Sequence, residues 1–292
     1  MIKNLLIGIL FAMLWASASS ATKIGIQSAQ PLVIGNFRFF IAGFLMLGYA
    51  YLFQKNRLPK GAEWKQLAIY GILNVTIYLG FFVVAIKHVS AGIGSLATAT
   101  NPLIISILSA FWLGRTVKKT EILGLALGIT GVGIATYPLL INSFADVEGL
   151  IILSISMISY SVGTVYYSSQ KWDLPLLVIN GWQVLLGGIL LIPMTLFFTD
   201  WSNNTYDLRF WGSVFWLVIP VSIGAVQLWL YLLKKDPIKA SLWLFLCPIF
   251  GFIYASILLK EPITSYTYAG TLLVIVGLYL AQREKLKHNN RP

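Results

Sequence analysis

GIGSLATATNP, residues 92–102, is a mostly apolar segment with a counterpart half a chain later. An offset of 146 residues relates two serines, two prolines and two pairs of glycines: Ser95 and Ser241, Pro102 and Pro248, Gly124 and Gly270, Gly131 and Gly277. Because proline and glycine constrain or free the backbone, these matches carry more weight than matched leucines. The offset is half of the 292-residue length. The pattern predicts a duplicated unit, with repeats at 1–142 and 143–292.

The apolar residues are gathered in long runs. Hydrophobic residues make up 58% of the chain and charged residues 11%, whereas about 25% are charged in an average soluble domain. Ten runs have roughly the 20-residue length that crosses a bilayer: 4–22, 31–53, 64–86, 91–113, 121–140, 147–169, 175–198, 210–233, 238–259 and 265–282. Residues 1–21 also resemble a secretory signal, but the repeat favours a first helix. We predict an all-α, polytopic membrane protein with ten transmembrane helices.

The basic residues alternate between the connections of these helices. With the N-terminus inside, sixteen of the 21 lysines and arginines lie in inner segments and four in outer loops. This bias predicts that both termini are cytoplasmic, and it explains the net charge of +11 without nucleic-acid binding. Five spans in each half make the second repeat enter the membrane from the opposite side. Inverted repeats are typical of transporters, with the substrate between the halves.

Arg38 is the one basic residue well inside an apolar run. A charge within the membrane is expensive and usually functional. One alternative is that its side chain extends to the outer headgroups. The other is that Arg38 faces an interior cavity, where it binds an anion or clamps two helices together.

Further polar and aromatic residues lie deep in the runs, several of them at helical spacing. With Arg38, the predicted cavity-lining set is Trp15, Ser19, Asn74, Tyr78, Ser95, Thr98, Asn101, Tyr160, Trp182, Gln183, Gln227 and Trp243. The hydroxyl-rich sixth span predicts a polar cavity wall. Pro102 and Pro248 each free a carbonyl four residues earlier, so they are predicted as hinges near a midplane site; simple kinks are the alternative. The spacing of Gly124, Gly128 and Gly131 predicts helix packing.

The two halves resemble the EamA-type repeat of the drug/metabolite transporter superfamily. The segments that carry the resemblance are Leu14–Ser17, Asn36–Arg38, Ala91–Pro102, Ala240–Pro248, Leu259–Thr264 and Gly270–Gly277. The resemblance implies a ten-helix carrier of amino acids, other metabolites or toxic compounds, often an exporter. It also implies a cavity lined chiefly by the third, fourth, eighth and ninth helices. One departure is Arg115, which occupies the place of a frequent glutamate that Glu261 keeps in the second half.

These observations predict a membrane carrier of small metabolites, with amino acids or related zwitterionic or aromatic compounds as the expected substrates. All ten acidic residues lie in loops or near span ends, which argues against a carboxylate proton relay within the membrane. We expect no cofactor or metal, no nucleic-acid partner, and a monomer in the bacterial plasma membrane. A channel and a non-transporting sensor of the same fold remain alternatives. A membrane enzyme is disfavoured because no nucleophile–base pair or metal motif is recognisable.

Overall fold

The computed structural model describes residues 2–112, 119–142, 145–235, 240–241 and 243–288. Its long helices are labelled here in chain order: α1 (Ile2–Gly25), α2 (Pro31–Phe53), α3 (Ala62–His88), α4 (Ala91–Trp112), α5 (Lys119–Ile141), α6 (Val147–Ser169), α7 (Leu176–Phe198), α8 (Leu208–Lys234), α9 (Trp243–Leu259) and α10 (Ser265–His288). The described part of the chain contains no β-strand. Arg115 lies outside the described residues.

Seven of these helices are long and apolar enough to cross a membrane: α1 to α4 and α6 to α8. The other three contain shorter apolar helices, Ile122–Ala135, Trp243–Leu259 and Ser265–Gly277. The all-helical membrane architecture is therefore confirmed. The count of ten spans and the cytoplasmic termini stay predictions.

The matched glycines pack helix against helix, as their spacing predicts. A methyl group at Gly131 would lie 2.6 Å from the carbonyl oxygen of Gly270, and one at Gly277 would lie 2.7 Å from that of Gly124. Neither distance leaves room for a side chain, so α5 and α10 approach at backbone contact. The 146-residue offset pairs Gly131 with Gly277 and Gly270 with Gly124, so it converts the first contact into the second. Such an exchange of contacts is expected where two units are related by a two-fold axis. The packing thus supports two related repeats.

The helices with matched prolines are interrupted at matched positions. In α4 a turn at Ala99 and Thr100 separates Ala91–Thr98 from Asn101–Trp112. In α9 the 3₁₀ turn Trp243–Leu246 precedes Cys247–Leu259. Each proline is the second residue of the later segment. The backbone N–H that proline lacks would have no acceptor within the helix at that position. Each helix is therefore interrupted and restarts just before its proline, and the role of Pro102 and Pro248 as hinges stays a prediction.

Two further irregular segments correspond between the repeats. Residues Ile72–Ile77 of α3 and Leu217–Ala225 of α8 are π-helical. Adding 146 to the first range gives 218–223, which lies inside the second. π-Helical turns widen a helix and are frequent at functional sites. Each repeat therefore combines a widened third helix with an interrupted fourth helix.

Candidate functional site

A small cavity lies between the repeats, at the level of these irregular segments. Its free volume is about 20 Å³, which is room for about one water molecule. Eight of the predicted residues line it: Trp15, Ser19, Arg38, Asn74, Tyr78, Ser95, Thr98 and Gln183. The lining comes from α1 to α4 of the first repeat and from α7 and α8 of the second. Among described residues α9 contributes none, which differs from what the family resemblance implies.

A buried hydrogen-bonded chain connects four helices beside this cavity. Asn74 Nδ2 donates to Gln183 Oε1 over 2.8 Å, and Gln183 Nε2 donates to Asn180 Oδ1 over 3.0 Å. Asn180 Nδ2 then donates to the carbonyl of Ser222 over 2.9 Å. Finally, Arg38 Nε donates to Ser222 Oγ over 2.7 Å. Because unpaired polar groups are costly in a membrane interior, this chain ties α2 and α3 to α7 and α8.

Arg38 belongs to the protein interior. Its side chain is 2% exposed, so the alternative of a side chain that extends to the headgroups is wrong. Its Cζ lies 5.7 Å from the centre of the Phe39 ring. Nη1 has no hydrogen-bond partner among the described residues. The guanidinium is thus only partly satisfied by the protein.

An aromatic cluster packs against the same cavity. It consists of Phe11, Trp15, Tyr78, Tyr160 and Trp229, and Trp15 contacts the other four directly, with ring centroids 5.4 to 6.5 Å apart. Tyr78 and Tyr160 lie closest together, at 4.7 Å. All five rings are buried. The cavity therefore has a polar wall that comes from most members of the hydrogen-bonded chain and an aromatic wall that comes from Trp15 and Tyr78 of this cluster.

Three serine hydroxyls of α6 join this helix to α3 and α4, and no α6 residue lines the central cavity. Ser156 Oγ donates to the carbonyl of Tyr78 over 3.0 Å, and Ser159 Oγ donates to that of Leu73 over 2.7 Å. Ser161 Oγ donates to Asn101 Oδ1 over 3.2 Å. The prediction of a polar cavity wall on α6 was wrong because irregular helices such as α3 and α4 leave more acceptors to be satisfied than a regular helix does. Dense hydroxyls on α6 supply these bonds.

Five of the predicted residues do not line the cavity. Tyr160 belongs to the aromatic cluster one layer away, and Asn101 bonds to α6. Trp182 lies on a different face of α7 from Gln183, where it donates Nε1 to Tyr51 Oη over 2.6 Å and packs against Trp64. The other two are Gln227, which donates to the carbonyl of Leu176, and Trp243, whose ring covers Gly8.

Three residues of this region were missed in the sequence. Asn180 lies one turn before Gln183, a polar pair that the seventh run does display. Ser222 lies two residues after Pro220 in an otherwise apolar segment. Trp229 is two residues after Gln227, so it points to the opposite side of α8. Choosing the polar residue of that helix selected the wrong face.

Polar ties close one end of the bundle, which we call the capped end and define by Lys23, His88, Asp146 and Glu261. Glu261 accepts from the backbone N–H groups of Ala91 (2.8 Å) and Gly92 (3.1 Å), at the start of α4. Lys23 Nζ donates to the carbonyls of Ile86 and Val89 at the end of α3, over 2.8 Å each. Both charges have the sign that the helix dipoles favour.

Asp146 adds a third tie at this end, and like the Glu261 contact it joins the two repeats. Its carboxylate accepts from the Gly149 N–H over 2.7 Å, capping α6, and lies 2.9 Å from His88 Nδ1. The backbone hydrogen bond and then the His88 contact lower the pKa of the Asp146 carboxyl below its ordinary value. The Asp146 N–H also donates to the His88 carbonyl over 3.1 Å. The α3–α4 corner is therefore held from α1, α6 and the segment after α9.

The opposite end has a vestibule of about 330 Å³, and we call it the vestibule end. The vestibule is lined by the ends of α6, α7 and α8 with the loop between α6 and α7: Tyr167, Ser168, Gln170, Trp172, Leu174, Leu176, Ile179, Leu233 and Lys234. Ile179 is one turn from Gln183 on α7, and Leu233 is one turn from Trp229 on α8. The vestibule thus approaches the central cavity along two of its helices.

The site has the groups for binding and none for bond-making chemistry that can be recognised in the described residues. Carboxylates lie near helix ends or in loops, and no group of three or more His, Cys, Asp or Glu among the described residues is placed to hold a metal. The one cysteine, Cys247, is buried against α1. The arrangement can recognise a small molecule by hydrogen bonds, charge and aromatic contact.

The sequence matches the model of the EamA-like transporter family twice, at residues 2–137 and 147–282. An "Uncharacterized transporter" of Synechocystis sp. is 26% identical over 94% of this chain and 88% of its own length. The "Uncharacterized inner membrane transporter YedA" of Escherichia coli is 26% identical over 94% and 92%. The "Protein PecM" of Dickeya dadantii is 24% identical over 92% and 88%.

One solved crystal structure has the same fold, with a TM-score of 0.70 and 19% identity over 99% of this chain and 100% of that one. Several relatives carry the names of transporters, and one of these names places its protein in the bacterial inner membrane. The protein is a multi-pass protein of the plasma membrane. With both repeats matched, the chain belongs to the EamA-like transporter family.

Proposed function

We propose that the protein is a carrier that moves small zwitterionic or aromatic metabolites out of the cell by alternating access at the central cavity. The observation that carries this proposal is the cavity itself, which is lined by both repeats and has one polar and one aromatic wall. Such a lining matches a molecule with a hydrogen-bonding head and an apolar body. Membership of a transporter family supplies the reaction class.

The predicted orientation places the vestibule end in the cytoplasm and the capped end outside. The structure then corresponds to a state closed to the outside, with its central cavity contracted to about 20 Å³. Substrate enters through the vestibule, displaces the aromatic cluster and widens the cavity. Rocking of the repeats about the interrupted α4 and α9 breaks the ties of the capped end and opens the outer route.

The contracted cavity favours a carrier over a channel. A channel needs a continuous water-filled route, whereas a carrier opens its central cavity to only one side at a time. The proposed carrier is a monomer that needs no cofactor, and its ten helices cross the bilayer with both termini inside. Its coupling does not rely on a carboxylate relay, since the acidic residues lie near span ends or in loops.

Counterflow in proteoliposomes tests this proposal. Vesicles are preloaded in turn with pooled amino acids, nucleosides and organic acids, with and without a pH gradient. Saturable exchange of one pool, insensitive to the gradient, is the expected result, and uptake driven by the gradient would show proton coupling instead. Linear, unsaturable flux indicates a channel, and silence across all pools favours the sensor alternative.

A pair of neighbouring residues provides matched variants for the same assay. Gln183→Leu removes the centre of the buried hydrogen-bonded chain and should reduce exchange at least about tenfold, since it leaves buried partners unpaired. Trp182→Phe alters the adjacent residue, which lies outside the cavity, and should leave exchange nearly unchanged. Equal effects of the two variants would contradict the assignment of the cavity as the transport site.

A further inference from the structure

Arg38 is a buried cation that no acidic side chain of the described spans neutralises. Its side chain is 2% exposed, and the acidic residues of the chain lie near span ends or in loops. A guanidinium keeps its proton in proteins and offers five N–H donors. Nε is satisfied by Ser222, whereas Nη1 has no partner among the described residues. Among the described residues, Arg38 therefore has neither a negative charge to neutralise it nor an acceptor for its Nη1 group.

A purely structural clamp accounts for only part of this arrangement. The Nε bond to Ser222 joins α2 to α8, and the Phe39 ring offers a weak cation–π contact at 5.7 Å. Neither contact uses Nη1 or balances the charge. A neutral glutamine would make the bond to Ser222 without burying an ion. The clamp thus leaves the cost of the charge unexplained.

The surroundings of Arg38 show a second unused donor. Trp229 Nε1 is buried without a partner among the described residues. Trp229 lies seven residues after Ser222 on α8, which is two turns or about 10 Å along the helix. Val226 lies between them and lines the cavity, as Arg38 does. Arg38 Nη1, beside Ser222, and Trp229 Nε1, two turns along α8, are thus both donors without an acceptor among the described residues.

We propose that Arg38 binds a carboxylate group of the transported molecule. The carboxylate would supply the missing charge and accept from the guanidinium N–H groups by charge-assisted hydrogen bonds. The rest of the molecule extends along α8 toward the aromatic cluster, where Trp229 Nε1 is available to a second acceptor. Small organic acids and amino acids are therefore substrates, and the corresponding amides and amines are not. This inference rests on the proposed carrier function and narrows it to carboxylate-bearing molecules.

Ligand-induced thermal stabilisation of the purified full-length protein tests the proposal without transport. The probes are two acid–amide pairs, acetate with acetamide and 3-phenylpropionate with 3-phenylpropionamide, at constant ionic strength and neutral pH. Wild type should be stabilised by an acid and not by its amide, with at least about tenfold weaker binding of the amide. Arg57→Gln, which removes a half-buried arginine at the vestibule end, should preserve this discrimination.

Three variants separate charge, geometry and folding. Arg38→Gln should abolish the preference for the acid, and Arg38→Lys should retain a weakened preference because it keeps the charge and loses the planar fork. Ser222→Ala removes the partner that orients Nε and should also weaken acid binding. If Arg38→Gln does not fold, Arg38→Lys and Ser222→Ala still test the proposal.

The outcomes distinguish the two proposals. Equal stabilisation by acid and amide, no stabilisation by either acid, or a preference that survives Arg38→Gln would overturn the carboxylate site. If counterflow then succeeds, the carrier function stands with a different recognition group. An acid preference that depends on Arg38 in a protein without counterflow would instead contradict the carrier and leave the binding site in place.

Discussion

The capped end and the vestibule end both contain charged side chains, but they use them differently. At the capped end, Lys23 and Glu261 bind backbone groups at helix termini, so each charge meets two fixed partners. At the vestibule end, Arg57 pairs with Glu63 and Asp173, and the Asp173 side chain is 93% exposed. Charges on ordered backbone dipoles hold helices together, whereas solvated ion pairs contribute little. The two ends therefore differ in how firmly charged side chains hold their helices.

Among the variants that test the contrast between the two ends, Glu261→Ala should weaken the capped end most. The variant leaves the Ala91 and Gly92 N–H groups without their acceptor, which should destabilise the closed capped end by about 1–3 kcal/mol. Labelling of Ser19→Cys in a Cys247→Ser background by a membrane-impermeant maleimide should then accelerate roughly tenfold or more. Glu148→Ala, a carboxylate at the same end, is the control and should label at the parental rate. Unchanged labelling in Glu261→Ala would show that the cap does not close this end.

Lys23→Gln should have the next largest effect. The shorter side chain cannot reach the carbonyls of Ile86 and Val89 that Nζ contacts at 2.8 Å, at a cost of about 1–2 kcal/mol. The same labelling assay should report a several-fold increase. Lys87→Gln, whose side chain is exposed, is the control. A combined Lys23 and Glu261 variant that labels no faster than Glu261→Ala alone would mean that the two ties act as one unit.

Asp146→Asn should produce a smaller and pH-dependent effect. Because the folded carboxyl has a lowered pKa, its contribution to stability is present above the unfolded value of about 3.9 and is lost as the pH falls through the folded value. The melting temperature of wild type should therefore exceed that of the variant near pH 6, and the difference should shrink on acidification toward pH 3. A difference that grows in acid would contradict the assigned sign.

Asp173→Asn at the vestibule end should have the smallest effect. Its partner Arg57 retains two hydrogen bonds to Glu63, so the loop loses only a solvent-exposed ion pair. Neither the melting temperature nor the labelling of Ser19→Cys should change measurably. Accelerated labelling in this variant would show that the exposed pair also holds the closed state, and the contrast between the two ends would fail.

Much of the fold could be read from local patterns. The apolar runs, the matched prolines and the glycine spacing all act on the backbone or on one helix face, and they recur at a fixed offset. Accordingly, α4 and α9 break at their prolines, and Gly131 meets Gly270. Seven of the predicted spans are long enough to cross the membrane, whereas the apolar parts of α5, α9 and α10 are shorter than the predicted runs.

The candidate site could be predicted only in part. Eight of the thirteen predicted residues line the cavity, among them Arg38 and Gln183. Trp182, beside Gln183, points elsewhere because adjacent residues on a helix are rotated by about 100°. Hydroxyls of α6 were assigned to the cavity because the acceptors they satisfy on α3 become visible only when the two helices are packed.

The sequence by itself determined that the chain is a duplicated, helical membrane protein with irregular fourth helices, because hydrophobic length and proline act locally. Only the tertiary structure decided which polar groups meet. Asn74, Gln183, Asn180, Ser222 and Arg38 come from four helices and join into one buried chain. Their pairing depends on the rotation and depth of each helix, and these are set by packing against neighbours rather than by the composition of any one span.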